Sequence, residues 1–177
     1  MEKHKTCSFI GHREIDENNK LKQKIKECIE DLIIKCNVQT FLFGSRSNFN
    51  NLCHEIVTEL KEKYPSIKRV CYTCKSEGCT LESEKREYEK LYSNFFRREV
   101  HLIGYEEEFE HKTKYSAGKA SYIERNQAMI SDSDFCVFYY NEKYVPSTKT
   151  KSGTKIAYEF ALRKKKKVIN LYEWKKG

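Results

Sequence analysis

Glycine, proline and long apolar runs are all scarce in this chain. Seven of the 177 residues are glycine and two are proline, so a glycine that directly follows an apolar run is not part of a generally loose chain. No run approaches the roughly 18 consecutive apolar residues of a membrane span. Residues 1–5 lead straight into an apolar strand, without the apolar region of a signal peptide. We therefore expect a cytoplasmic protein with no membrane partner.

Two standard nucleotide-binding motifs are also missing. The chain contains neither the Gly-x-Gly-x-x-Gly fingerprint of dinucleotide dehydrogenases nor the P-loop pattern Gly-x4-Gly-Lys-Ser/Thr. An ordinary NAD dehydrogenase and a P-loop NTPase therefore lose support. We expect no cofactor.

The eight cysteines look like free thiols rather than a disulfide set. Cys71, Cys74 and Cys79 offer half of a zinc site, but a second pair is missing, and neither His101 nor His111 has a zinc-finger spacing. Reduced thiols are favoured over zinc, and no metal site is expected. Six cysteines fall in predicted strands or on apolar helix faces: Cys7, Cys71 and Cys136, then Cys28, Cys36 and Cys53.

The formal net charge of +8 favours anionic partners. The basic run Arg163–Lys167 invites a nucleic-acid interpretation, but it lies at the end of a predicted helix, where cations complement the helix dipole. Aromatic residues are not interleaved with basic ones as they are in single-strand binders. The sequence therefore disfavours nucleic acid as a partner.

Apolar periodicity predicts strands that alternate with helices. One helix carries an apolar stripe from Leu21 to Cys36, a second is expected to be capped by Asn48, and a third spans about 120–130. This alternation predicts a single α/β domain over residues 1–177, a Rossmann-like three-layer sandwich with a mainly parallel sheet. The predicted strands are Thr6–Ile10, Thr40–Phe43, Lys68–Thr73, Asp134–Tyr140 and Val168–Tyr172.

The pattern breaks down between about residues 75 and 119, where we expect an irregular insertion. Its aromatic residues from Tyr88 to Phe96 hint at a helix. They leave open a protein-interaction adaptor. Assembly into a homo-oligomer is also left open.

Three glycine-bearing segments lie where an apolar strand should end or a helix should begin. Ligands in such folds bind at the carboxyl ends of strands and at the helix N-termini that face them. An Arg directly after a strand-end glycine suits bidentate phosphate binding, although a surface ion pair is the alternative. The candidate ligand-binding residues are Gly11, His12 and Arg13, then Gly44, Ser45 and Arg46, then Ser152, Gly153 and Thr154.

Four segments in this order resemble the YpsA-type bacterial branch of the SLOG superfamily: Ser8–Arg13, Phe41–Arg46, Gly118–Asn126 with Met129, and Ser152–Glu159. The resemblance covers most of the chain outside about residues 75–115. The superfamily includes lonely-guy phosphoribohydrolases and domains that sense nucleotide-derived ligands. It implies a Rossmann-like fold and a nucleotide-derived small molecule as partner.

The same resemblance suggests further site residues. Glu124, Arg125 and Asn126 are similar to a catalytic Glu-Arg-Lys segment, with Asn126 where Lys is usual. Glu159 follows Thr154 by five residues rather than the usual three. We name Arg125 and Glu159 as catalytic candidates, and Glu124 and Asn126 as ligand contacts.

The leading hypothesis is a protein that binds a nucleotide or an ADP-ribose-like phosphorylated ligand as sensor, carrier or sequestering protein. The alternatives are a hydrolase or transferase at an N-glycosidic bond, similar to the phosphoribohydrolases, and the adaptor.

Overall fold

The computed structural model describes residues 3–44, 47–74, 104–111, 114, 119–144 and 152–173. Six parallel strands form one sheet in the order β4-β3-β2-β1-β5-β6. The predicted α/β Rossmann-like class is therefore confirmed. The strands are β1 (Lys5–Gly11), β2 (Val38–Phe43), β3 (Lys68–Cys74), β4 (Glu107–His111), β5 (Phe135–Tyr139) and β6 (Lys167–Asn170).

Four helices in the described part of the chain cover the two faces of the sheet. The first two pack on one face and the last two on the other. None of them is long and apolar enough to cross a membrane. The helices are α1 (Asn19–Cys36), α2 (Asn48–Lys63), α3 (Lys119–Asp132) and α4 (Gly153–Arg163).

Side-chain alternation along β1 divides the core into two layers. Phe9 faces α1 and α2, and its ring lies 5.8 Å from that of Phe41 and 5.2 Å from that of Phe43. Ile10 faces α3 and α4, where it joins Met129 in the second apolar cluster. Each such side chain contributes roughly 1.5–3 kcal/mol when fully buried, so the central strands are well anchored on both faces.

Strand β4 corrects the sequence prediction of an irregular insertion. Glu107–His111 pairs with β3 at the edge of the sheet, although its sequence is mostly charged. Phe109 packs against Tyr72 of β3, with ring centroids 4.8 Å apart. The acidic residues of β4 are compatible with its position, because edge strands commonly carry charged side chains. The aromatic residues from Tyr88 to Phe96, on which the adaptor hypothesis rests, lie outside the described residues.

Two element boundaries also differ from those predicted. Helix α2 is capped by Ser47, whose Oγ accepts a hydrogen bond from the Asn50 N–H at 3.1 Å, and Asn48 is the first helical residue. Strand β6 begins at Lys167 and ends at Asn170, with a turn over residues 171–173. Asn170 caps that turn with its side chain, which ends the strand early.

The order of the strands creates a topological switch point. From β1 the chain proceeds through β2 to β3 in one direction, whereas β5 and β6 lie on the other side of β1. The connections on either side of the β1–β5 pair therefore leave the sheet in opposite directions. In open α/β sheets this is where ligands bind, outside the carboxyl ends of the strands.

Candidate functional site at the switch point

The carboxyl end of β1 holds the first predicted segment. A Cβ atom on Gly11 would lie 2.3 Å from the Phe49 ring. Because glycine has no side chain, the Phe49 ring of α2 can pack against the backbone at this position. Arg13 is exposed, and its carbonyl accepts a hydrogen bond from the Asn48 N–H at 2.9 Å. The segment is thereby fixed against the start of α2, which leaves the Arg13 guanidinium at the carboxyl edge.

His12 is almost fully buried at this edge, with 4% of its surface exposed. The Asn141 N–H donates to His12 Nε2 at 2.9 Å, which requires Nε2 to be unprotonated. Burial lowers the pKa of His12, so the neutral ring carries its proton on Nδ1. No hydrogen bond from Nδ1 to another described residue is formed. The Nδ1–H of His12 is therefore the donor that this residue has left for a ligand at the switch point.

Four rings meet across the end of β5, and we call them the aromatic ladder: His12, Tyr144, Tyr140 and Tyr158. Tyr144 lies on His12 with centroids 4.4 Å apart and planes tilted by 35°. Tyr140 follows at 5.9 Å from His12, and Tyr158 of α4 lies 4.7 Å from Tyr140. Tyr140 is 8% exposed but Tyr144 is 43% exposed. The ladder therefore has a buried inner end, at His12 and Tyr140, and a solvent-facing outer ring, Tyr144.

The first turn of α4 lies at the same edge of the sheet, because the helix ends just before the start of β6 and so runs antiparallel to it. Ser152 caps the helix through its Oγ, which accepts from the Lys155 N–H at 3.0 Å. A Cβ on Gly153 would meet nothing within 4 Å. Among the described residues there is therefore room beside Gly153 at the start of the helix, and the N-terminus of a helix favours an anion. The next residue, Thr154, is buried.

Glu159 lies one to two turns further along α4. Burial raises the pKa of the Tyr140 phenol, and the nearby carboxylates Glu142 and Glu159 raise it further. Glu159 therefore lies beside the aromatic ladder. Its catalytic role stays a prediction.

Arg125 lies beside Gly44, at the end of β2. It is 2% exposed, its Nη1 donates to the Gly44 carbonyl, and its Nε donates to Asn126 Oδ1 at 3.0 Å. A Cβ on Gly44 would lie 2.8 Å from Arg125 Cδ and 2.6 Å from Met129 Sδ. Arg125 therefore stabilises the backbone at the end of β2. Its predicted catalytic role stays untested.

The remaining predicted residues divide between the described and undescribed parts of the chain. Glu124 accepts a hydrogen bond from the Lys114 N–H at 2.6 Å through its carboxylate. Ser45 and Arg46 lie outside the described residues, as does Cys79 of the zinc alternative. In the parts of the chain that the structure describes, no three His, Cys, Asp or Glu side chains gather as a metal site would require.

Sequence reasoning missed the aromatic ladder and Asn141. The cluster Tyr139-Tyr140-Asn141 with Tyr144 was visible at the end of the predicted strand. It has no motif of its own, because the rings meet His12 only once β5 pairs with β1. A run of tyrosines directly after a buried strand was the available signal.

A family model described as the YspA SLOG family, YpsA, matches residues 9–174. The chain belongs to the YspA SLOG family. The resemblance inferred from the four segments is thus confirmed. No curated protein matches the sequence.

A solved structure with the same fold is that of DNA processing protein A from Helicobacter pylori, which is described as binding single-stranded DNA in a unique mode. It aligns with a TM-score of 0.55 and 15% identity over 93% of this YspA SLOG chain. The chain covers 63% of the length of that protein. This neighbour contradicts the expectation that nucleic acid is disfavoured as a partner, because a protein of this fold binds single-stranded DNA. The absence of interleaved aromatic and basic residues in the sequence was the wrong criterion, because residues that are distant in the sequence meet in the fold.

Proposed function

We propose that this protein binds a nucleotide or an ADP-ribose-like phosphorylated ligand at the switch point, acting in the cytoplasm as a sensor, carrier or sequestering protein. The observation that carries the proposal is the room beside Gly153 at the start of α4, at the same edge of the sheet as His12. Partial positive charge at a helix N-terminus favours a phosphate. Arg13 adds an exposed guanidinium at the same edge.

Binding without turnover is the form of the proposal that the contacts favour. Hydrolysis of an N-glycosidic bond needs a group that stabilises or activates the reacting atoms. Arg125 is buried and already donates to the Gly44 carbonyl. The N-glycosidic hydrolase therefore remains the alternative.

A second candidate is a single strand of DNA. The fold shared with the Helicobacter pylori DNA processing protein A favours it, and so does the net charge of +8. Phosphates of a strand and of a nucleotide would use the same donors. The two ligands differ in salt dependence, because a strand that contacts several phosphates loses affinity steeply as salt rises.

The test is a thermal-shift panel of nucleoside mono- and diphosphates, ADP-ribose and ribose 5-phosphate, followed by mass spectrometry of each mixture. A ligand at 100 times its Kd adds about 2.7 kcal/mol of stability. For a domain of this size that raises the Tm by roughly 5–10 °C. We expect at least one ligand to bind and to be recovered intact. Release of free base that disappears in both R125A and E159Q would establish the hydrolase instead.

Arg13→Ala and Arg163→Ala form a matched pair for the same panel. Both arginines are exposed, but Arg163 ends α4 at the opposite edge of the sheet. Removing Arg13 should weaken binding of the phosphorylated ligand by roughly 1.5–3 kcal/mol, the scale of a charge-assisted hydrogen bond, and R163A should not. A single-stranded oligonucleotide that binds while every mononucleotide fails would favour the second candidate.

A further inference from the structure

The aromatic ladder ends in an exposed tyrosine ring that is packed on a buried histidine, an arrangement that phosphate binding does not require. Its inner rings are packed between β1, β5 and α4, and its outer ring, Tyr144, keeps 43% of its surface exposed. An exposed tyrosine on a mobile loop is common and carries no meaning by itself. Here the ring is held from behind by His12, whose own surface is only 4% exposed.

The backbone between the two tyrosines is also fixed. Tyr140 exchanges hydrogen bonds with Asn170, its N–H donating at 3.0 Å and its carbonyl accepting at 2.9 Å. Asn141 Oδ1 accepts from the Lys143 N–H at 2.9 Å, and its carbonyl accepts from the Tyr144 N–H at 3.0 Å. This turn sets the position of the Tyr144 ring before any ligand arrives. A preorganised ring loses little conformational entropy on binding.

The charges around Tyr140 and Tyr158 disfavour a phosphate beside these two rings. Glu142 and Glu159 lie close enough to raise the pKa of Tyr140, after the larger effect of burial. Glu142 and Glu173 act in the same way on Tyr158. Carboxylates repel an anion, whereas they accept hydrogen bonds from amino and hydroxyl groups. These surroundings therefore favour a flat, uncharged ring that carries amino or hydroxyl groups.

We propose that Tyr144, backed by His12, is the platform on which the base of the bound nucleotide stacks. This rests on the proposed function, and it divides the site into two ends. The phosphate lies at the open first turn of α4 or beside Arg13, and the base lies on the exposed face of Tyr144. Stacking on an aromatic side chain tolerates every base, because each base has a π-face. The platform therefore supplies affinity for a base rather than a choice among bases.

The test compares two tyrosines at the same edge of the sheet. Tyr172 is 45% exposed and meets Tyr139 edge-on at 5.4 Å, so Y172A is the matched control for Y144A. Titrations use AMP, GMP, CMP and UMP, with ribose 5-phosphate as the probe that lacks a base. Melting curves of both variants confirm folding, and Y144F keeps the ring while removing the hydroxyl.

We expect Y144A to weaken binding of the nucleoside monophosphates about tenfold or more, while Y172A and Y144F stay within about twofold of the unmodified protein. Ribose 5-phosphate should bind Y144A and the unmodified protein equally. Equal losses for ribose 5-phosphate and the nucleotides, or nucleotide binding unchanged in Y144A, would overturn the platform alone. Failure of the unmodified protein to bind these five compounds, the nucleoside diphosphates and ADP-ribose would overturn the proposed function and the platform with it.

Discussion

Glycines that look alike in the sequence differ in what surrounds them. Gly11 ends β1 and Gly44 follows β2, and a Cβ on either would overlap a packed side chain. Gly153 begins a helix, and a Cβ there would meet no atom of the described residues within 4 Å. The strand-end glycines are therefore required by packing, whereas the helix-start glycine leaves space for a ligand.

Alanine substitutions separate these two uses of glycine. Gly11→Ala places a methyl group within 2.3 Å of the Phe49 ring, so we expect the free energy of unfolding to fall by roughly 1–3 kcal/mol, as overpacking does. Gly153→Ala should change it by less than about 0.5 kcal/mol. Urea denaturation of both variants measures the difference. Equal stability of the two variants would contradict the packing assigned to Gly11.

His12 and Arg125 show how far residue-level prediction reached. Both were named from the sequence, and both lie at the carboxyl edge, almost completely buried. The sequence could not indicate that Arg125 donates to the Gly44 carbonyl, because the two residues are 81 positions apart. Its contacts depend on how α3 packs against β2, which no local pattern encodes.

At the scale of elements, β4 is held by an ion-pair cluster and not by an apolar stripe. The Glu106 carboxylate accepts from the Arg69 backbone N–H at 2.6 Å and from the Arg69 guanidinium at 2.7 and 3.2 Å. Lys61 Nζ lies 3.2 Å from the same carboxylate. Nearby, His54 Nε2 contacts the Gly104 carbonyl at 2.6 Å. Helix α2 and strand β3 thus fix the residues that lead into β4.

This cluster predicts a loss of stability in acid. Partial burial opposes ionisation of Glu106, but the hydrogen bonds from Arg69 and Lys61 outweigh it and lower its pKa to about 2. A depressed folded-state pKa means that the unfolded chain takes up the proton first, so the contribution is present above about pH 4.5 and is lost as the pH falls towards 2. E106Q should reduce the free energy of unfolding at pH 7 by roughly 1–3 kcal/mol.

Glu17 supplies the control for this prediction. Its ion pair with Lys22 measures 2.9 Å, with both side chains nearly half exposed, so E17Q should cost less than about 0.5 kcal/mol. Denaturant midpoints at pH 7 and pH 3 measure both variants. If E106Q loses as much stability between those two pH values as the unmodified protein does, Glu106 is not the source of the acid sensitivity.

The elements that the sequence predicted well are those with their own periodicity. Six elements have an apolar pattern that is visible in their own sequence, whatever they pack against: helices α1 and α2 and strands β1, β2, β3 and β5. Strand β4 has no such pattern, since its charged residues are compatible with a strand only at the edge of an existing sheet. Its position depends on β3 and on the Arg69 cluster, so it was predicted as irregular.

For the whole molecule, the strand order decides where a ligand can bind. Alternating strands and helices predicted a parallel sheet, which places every strand end at one edge. The sequence could not indicate that β5 pairs with β1, because pairing depends on long-range packing. That pairing brings Tyr140, Asn141 and Tyr144 to His12. The glycine and Ser152–Thr154 parts of the candidate site were therefore predictable, and the aromatic ladder was not.

The most direct test of this account is an amide NMR titration of the isotope-labelled protein with the nucleotide that gives the largest thermal shift. Saturable shifts should concentrate at His12, Gly153 and Thr154, at the carboxyl edge of the sheet. Asp134, whose carboxylate accepts from the Thr6 N–H at 2.9 Å at the amino edge, should stay unperturbed. Saturable shifts centred on Thr6 and Asp134, with His12 and Gly153 unchanged, would contradict the proposed site.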